Sequence, residues 1–182
     1  EAGYLSLGLS LTNIFTNVAY FCIRNYQVSD TAGKYSADIY VTHRLLATIA
    51  AFLLYALFVL CNGYSFYVTA FLLLFMVYRL NEPLVDVFHG IDQRAWRLDV
   101  AGQSFLMRGM LTLIIFIATE KLTGSLVITT LVMIVAVYGI ILGFDIPRAY
   151  RCTPFHFRKE GAGLLSLTKE CFPLFVYAAC LN

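Results

Sequence analysis

Five long apolar segments divide this chain, and the polar gaps between them alternate sharply in charge. The gap at 24–44 carries Arg24, Lys34 and Arg44, and the gap at 62–63 carries no charge. The gap at 79–108 carries Arg79, Arg94, Arg97 and Arg108, while 120–125 carries only the one cation Lys121. The last gap, 145–170, carries Arg148, Arg151, Arg158, Lys159 and Lys169. Twelve of the thirteen Lys and Arg residues thus fall in alternate gaps. Connections that hold Lys and Arg stay cytoplasmic during insertion, so this one pattern sets both a class and an orientation. The class is an all-α, polytopic transmembrane protein. The basic gaps lie inside, and 62–63 and 120–125 lie outside.

Backbone polar groups in hydrocarbon must be bonded internally, which leaves helices and closed barrels as spanning structures. Barrel strands alternate apolar and polar residues, and these segments do not. Sixty per cent apolar and 13% charged residues exclude an ordinary soluble domain, where the shares are roughly 45–50% and 25%. Spans at about 4–23, 45–61, 64–78, 105–119 and 126–144 make one helical lobe over 1–144. A cytoplasmic linker, 145–170, leads to the start of a further span at 171–182. No basic n-region precedes a short apolar core, so no signal peptide is expected. The chain begins at Glu1 and ends inside an apolar stretch, and it reads as a segment of a longer protein.

The first span carries an unusual polar stripe. Ser6, Ser10, Asn13 and Asn17 are spaced by four, three and four residues and share one helix face, with Thr12 and Thr16 beside it. Asparagine facing lipid is costly. The stripe therefore meets other helices through hydrogen bonds or lines a water-filled path. Further along, Ser29 or Asp30 is placed to cap a short helix over 31–43. Its Tyr35, Ile39 and Tyr40 suit the membrane interface. Pro83 kinks or restarts the helix that follows the third span. Arg108 lies one turn inside the fourth span and can snorkel to the cytoplasmic face. Gly139-x-x-x-Gly143 permits close helix approach in the fifth. Asn62-Gly63 makes a tight outside turn. Leu164, Leu165 and Leu167, with Lys169 and Glu170, suggest an amphipathic helix entering the sixth span.

Other chemistry is missing from the sequence. The five cysteines, Cys22, Cys61, Cys152, Cys171 and Cys180, form no C-x-x-C pair; they read as inert thiols rather than zinc ligands. There is no G-x-x-x-x-G-K-[ST] loop, and Gly161-Ala162-Gly163 is a bend. His43, His89 and His156 fall in three separate cytoplasmic regions and read as interface or helix-end residues. No span holds a carboxylate. An enzyme is disfavoured, and no catalytic residue, metal or cofactor is expected. The basic residues flank spans instead of clustering on a soluble face, which excludes a nucleic-acid partner.

Several phrases occur together in order. The first is Arg24-Asn25-Tyr26-Gln27-Val28-Ser29-Asp30, followed by Tyr35, Tyr40 and Arg44. The second is Asp86-Val87-Phe88-His89-Gly90, with Arg97-Leu98-Asp99, Gly102-Gln103-Ser104 and Arg108-Gly109. The third is Glu170-Cys171-Phe172-Pro173-Leu174-Phe175. Over nearly its whole length the chain resembles the bacterial polysaccharide flippases of the multidrug/oligosaccharidyl-lipid/polysaccharide exporter superfamily. The resemblance implies two helical lobes around a central cavity, of which this chain is most of the N-terminal lobe, its five spans being the second to sixth. It implies a multi-pass protein of the bacterial cytoplasmic membrane that flips undecaprenyl-diphosphate-linked oligosaccharide for O-antigen- or capsule-type polysaccharide. The partners implied are the lipid bilayer, the lipid-linked oligosaccharide, a glycan polymerase and glycosyltransferases. On that reading Arg24, Arg44, Arg94 and Arg97 are candidates to grip the diphosphate, because the guanidinium fork bonds such groups bidentately. Topology and headgroup contact is the plainer role of each. Two alternatives stand beside it. One is an ion-coupled drug exporter of the same superfamily, which a buried acid in a span would favour. The other is a non-transporting component of a polysaccharide assembly complex.

Overall fold

The computed structural model describes residues 2–156 and 161–181, and among them every regular element is helical. In chain order these are α1 (Ala2–Tyr20), α2 (Ile23–Ser29), α3 (Ala37–Cys61), α4 (Phe66–Arg79), α5 (Asn81–Arg94), α6 (Leu98–Thr123) and α7 (Leu126–Ile140). A π turn, Ile141–Asp145, joins α7 to α8 (Ile146–Cys152), and α9 runs over Gly161–Leu181. Five stretches are long and apolar enough to cross a membrane: Gly3–Ser29, Ala37–Cys61, Phe66–Arg94, Leu98–Thr123 and Leu126–Cys152. The chain is an all-α, multi-pass membrane protein by this measure.

The helices outrun the apolar segments. The stretch after the third segment stays helical through polar residues, because α5 still has an apolar face to bury. Its Val85, Val87, Phe88 and Ile91 are buried, and so are Asn81, His89 and Asp92. Leu80 keeps helical dihedrals between α4 and α5, and Pro83 sits in the first turn of α5, where a missing N–H costs little. Likewise α7 passes through the π turn into α8, carrying Asp145 into the buried interior. Segments 64–78 and 126–144 hold no carboxylate, as expected, but the helices that contain them run on to Glu82, Asp86, Asp92 and Asp145.

The helix expected over 31–43 is also corrected. Asp30 closes α2 instead of opening a new helix. Its Oδ1 accepts the backbone N–H of Lys34 at 2.9 Å. Its Oδ2 accepts the Tyr35 N–H at 3.1 Å and the Tyr40 hydroxyl at 2.9 Å. These bonds fold 31–36 into a tight loop, and a single helix then runs from Ala37 to Cys61. Tyr35, Ile39 and Tyr40 are buried in the protein rather than laid in the headgroups.

Two apolar clusters hold the bundle. One, on the side that the charge pattern makes cytoplasmic, joins Ile23, Tyr40, Val85, Ile91, Ala149, Leu167 and Cys171. The other joins Ala19, Ala51, Tyr55, Phe71, Leu72, Met76 and Leu126. Large apolar side chains such as Leu53, Leu57, Leu106, Leu113 and Val135 are exposed, as a lipid-facing surface requires. The turns at 62–63 and 120–125 match their sequence signals: Gly63 and Gly124 take positive φ of 64° and 58°, which glycine adopts without strain. Three other expectations are corrected. Arg108 is buried rather than snorkelling, and its Nη1 donates to Asn81 Oδ1 at 3.0 Å. Gly139 and Gly143 are exposed and have no neighbouring side chain within reach of a Cβ, so no helix closes on them among the described residues. The amphipathic stretch at 164–170 and the next span are one helix, α9, with Pro173 inside it. Arg158 and Lys159 of the linker lie outside the described residues.

Candidate functional site

The first span has a packed side and an open side. Thr12, Thr16 and Ala19 are buried, where α1 packs on α3 and α4. The two threonine hydroxyls donate back to the carbonyls of Gly8 at 2.7 Å and Asn13 at 3.1 Å, which satisfies them within the helix. On the open side Ser6, Ser10 and Asn13 are exposed and Asn17 is half-buried. Asn13 Oδ1 accepts a hydrogen bond from Arg79 Nη2 at 3.0 Å. Asn13, Thr16, Asn17, Tyr20, Arg79 and Phe175 line a hollow of about 630 Å³. Ser6 and Ser10 lie further out on the same helix and do not line it.

A second hollow, of about 660 Å³, continues from the first at Tyr20. Cys22, Arg24, Asn25, Ser29, Asp86 and Gln93 line it. The two adjoin at Tyr20 and form an open groove along α1 and α2, lined by both polar and apolar side chains. The bend between them arises at Phe21 and Cys22, which take positive φ of 42° and 52° and end α1. That end leaves carbonyls without helical donors. Arg44 supplies them: its Nη1 donates to Ala19 O at 2.9 Å and Tyr20 O at 2.6 Å. A cation at a helix C-terminus also suits the helix dipole.

The four candidate arginines separate. Arg24 stands in the groove, with Nη1 on Asp86 Oδ1 at 3.0 Å and Nη2 on Gln93 Oε1 at 3.1 Å. Arg44 is fully buried behind the groove wall and places Nη2 on Asp86 Oδ2 at 2.8 Å. Asp86 thus bridges one accessible and one buried guanidinium, and burial keeps Arg44 from reaching a ligand in the groove. Arg94 is exposed in a neighbouring hollow that meets the groove at Gln93 and Val28. Arg97 is exposed and turned onto Asp99, with Nε and Nη2 at 2.9 and 3.0 Å from the two carboxylate oxygens.

The third wall is α9, docked on α2 and α3 by a polar seam. Glu170 accepts from Lys34 Nζ and from the Tyr26 hydroxyl. The Lys34 bond is the main reason that its carboxyl lies below the usual glutamate range. Tyr35 Oη donates to Ser166 Oγ at 2.8 Å, and His43 Nε2 meets Thr168 Oγ1 at 2.8 Å. The Phe21 and Phe175 rings stack at 4.7 Å. His43 and His89 are therefore buried residues and not interface ones.

Tyr20, Asp86, Gln93 and Arg79 were not among the site candidates that the sequence offered, though Asp86 and Arg79 were named in it. The spacing of Glu82, Asp86 and Gln93 by four and seven on one helix face was readable, since the helix was expected to run past Pro83. The pairing of Arg79 with Asn13 was not. No protein-family model, curated protein or solved structure matches the chain.

Proposed function

We propose that this chain is most of the N-terminal lobe of a flippase for isoprenoid-diphosphate-linked oligosaccharide in a bacterial cytoplasmic membrane. The observation that carries the reading is the open groove on α1 and α2, with Asn13, Asn17, Tyr20 and Arg24 in its lining. It runs from Asn13 and Asn17, within the first membrane-length stretch, to Arg24 near the basic, cytoplasmic end. Each hollow has the size of an ordinary ligand site. Asparagine amides and a tyrosine suit sugar hydroxyls, and the partly accessible Arg24 fork suits a diphosphate near the headgroup plane. The ordered phrases that resemble the polysaccharide flippases support the same reading. A glycan polymerase and glycosyltransferases are its natural partners.

The test is complementation with the intact gene, reading surface glycan and the leaflet on which lipid-linked precursor accumulates. Asn13→Leu with Asn17→Leu inserts normally and impairs transport. Arg24→Lys keeps the positive-inside charge but loses the fork, so substrate binding weakens about tenfold to a hundredfold, the equivalent of a charge-assisted hydrogen bond. Normal surface glycan in both variants removes the groove from the mechanism.

A second reading is an ion-coupled exporter of the same superfamily. The observation in its favour is that Asp92 and Asp145 are fully buried in membrane-length helical stretches. Drug sensitivity with intact surface glycans, on deletion of the gene, selects that reading.

A further inference from the structure

We propose that a buried acid–imidazole cluster, where α5 and α6 meet the π turn, is a proton-binding site. It lies apart from the groove, and the argument does not depend on which substrate crosses.

His89 Nε2 stands 3.5 Å from Asp145 Oδ1, and both side chains are all but fully buried. Yet neither nitrogen of His89 and neither oxygen of Asp145 has a hydrogen-bond partner. Asp92, one turn along α5, is equally buried, with the Cys152 thiol as a hydrogen-bonding neighbour. Native interiors rarely leave one such group unsatisfied, and an unpaired buried carboxylate is among the costliest. Several together, in helices of membrane length, mark a functional site by default.

The charges say what the site takes. Asp92 is near enough to interact electrostatically with His89 and Asp145, and also with Arg97 and Cys152. Asp99 reaches the same neighbourhood through Cys152. From α6 the facing cation is Arg108, which interacts with Asp145 but spends Nη1 on Asn81. Arg97 is exposed and already bound to Asp99. Arg108 thus faces Asp145 and Glu82, Asp92 faces Arg97, and the basic atom that stands beside Asp145 is His89 Nε2. No group of three His, Cys, Asp or Glu side chains is arranged to hold a metal ion among the described residues. A proton fits, because His89 Nε2 can carry it into contact with Asp145.

The step is simple. A hydronium ion gives its proton to the Nε2 lone pair of His89; an N–H bond forms and water leaves. The imidazolium then has a donor aimed at Asp145, and the 3.5 Å separation closes toward about 2.7–2.9 Å. Release reverses each event. Asp145 is the last residue of the π turn, and such turns hold a helix register that can change at functional sites. Closing the contact pulls on that turn, so proton uptake is linked to the register between α7 and α8.

The experiment uses the full-length protein in lipid nanodiscs with 15N-labelled histidine. The chain has three histidines, and His89→Gln assigns the resonance of interest. On acidification His89 is expected to pass from imidazole to imidazolium. Asp145→Asn is expected to cut the imidazolium population at the acid end at least tenfold, with Asp30→Asn as a remote control that does not. A His89 that stays neutral throughout overturns the proposal, as does one that titrates identically in Asp145→Asn. Should Asp145→Asn not fold, Asp92→Asn makes the same comparison, and the wild-type titration alone can overturn the idea. The readout is the imidazole itself, so its failure leaves the substrate reading standing, and a failed complementation test leaves the proton site standing.

Discussion

Replacing Asp86 with Asn separates two arginines that look alike in sequence. Arg44 is fully buried, and the one carboxylate it touches is Asp86. Breaking a buried ion pair by removing one partner costs about 3–5 kcal/mol, because the remaining charge is uncompensated. Two helix-end carbonyls still bond Arg44, and the side chain of Asp86 is 14% exposed, so the lower end, about 3 kcal/mol, is the expectation for Asp86→Asn. Arg24 is different. Its side chain is 28% exposed, and exposed pairs are worth about 0–1 kcal/mol, so Arg24→Ala costs less than about 1 kcal/mol. Arg44→Leu falls with the Asp86 variant or beyond it, since it also orphans the carbonyls of Ala19 and Tyr20. Reversible chemical unfolding of the purified protein, in one detergent for all variants, measures the three. Salt should weaken the Arg24 contact and leave the Arg44 one almost untouched. Equal losses for Asp86→Asn and Arg24→Ala, or a milder loss for Arg44→Leu than for Arg24→Ala, would refute the reasoning. If it holds, transport defects in Arg44→Lys arise from folding, and those in Arg24→Lys from the groove.

The remaining predictions concern the loop and the α2–α5 contact. Burial pushes the Asp30 carboxyl up, but the N–H groups of Lys34 and Tyr35 and the Tyr40 hydroxyl outweigh it and hold the carboxyl below the usual range. A depressed carboxyl contributes stability that is whole above its unfolded value, about 3.9, and is lost as pH falls through the folded value. Asp30→Asn therefore destabilises by about 1–2 kcal/mol at neutral pH, and the gap to wild type closes in acid; a gap independent of pH counts against the role of the charge. A Cβ on Gly90 would stand 2.3 Å from Gln27 Oε1, and Gln27 is buried. Gly90→Ala should cost about 1–3 kcal/mol by overpacking, and adding Gln27→Ala should recover most of it. Thermal unfolding of the two variants decides, and no recovery in the double variant rules out this contact as the cause.

What the sequence determined by itself was the class. Apolar segments too uniform for strands can satisfy their backbones only as helices, and the alternation of Lys and Arg orients them. The outside turn at Asn62-Gly63 and the polar stripe on the first span were legible for the same local reasons: glycine tolerates positive φ, and spacings of three and four share a helix face. Tertiary structure decided where polar chemistry goes. The sequence carried the third span's helix past Pro83 but left Asp86, His89 and Asp92 beyond the span and Asp145 in a linker, because hydropathy marks a span only while it faces lipid. Packing against α3, α6 and α8 kept the helix going beyond that point and buried those groups. Arg44 and Arg24 are equivalent as charges in a cytoplasmic gap. Only the break of α1 at Phe21 and Cys22 gives Arg44 two carbonyls to cap and leaves Arg24 facing the groove. Contacts such as Arg79 with Asn13, or Glu170 with Lys34, join residues far apart in the chain, and no local propensity encodes them.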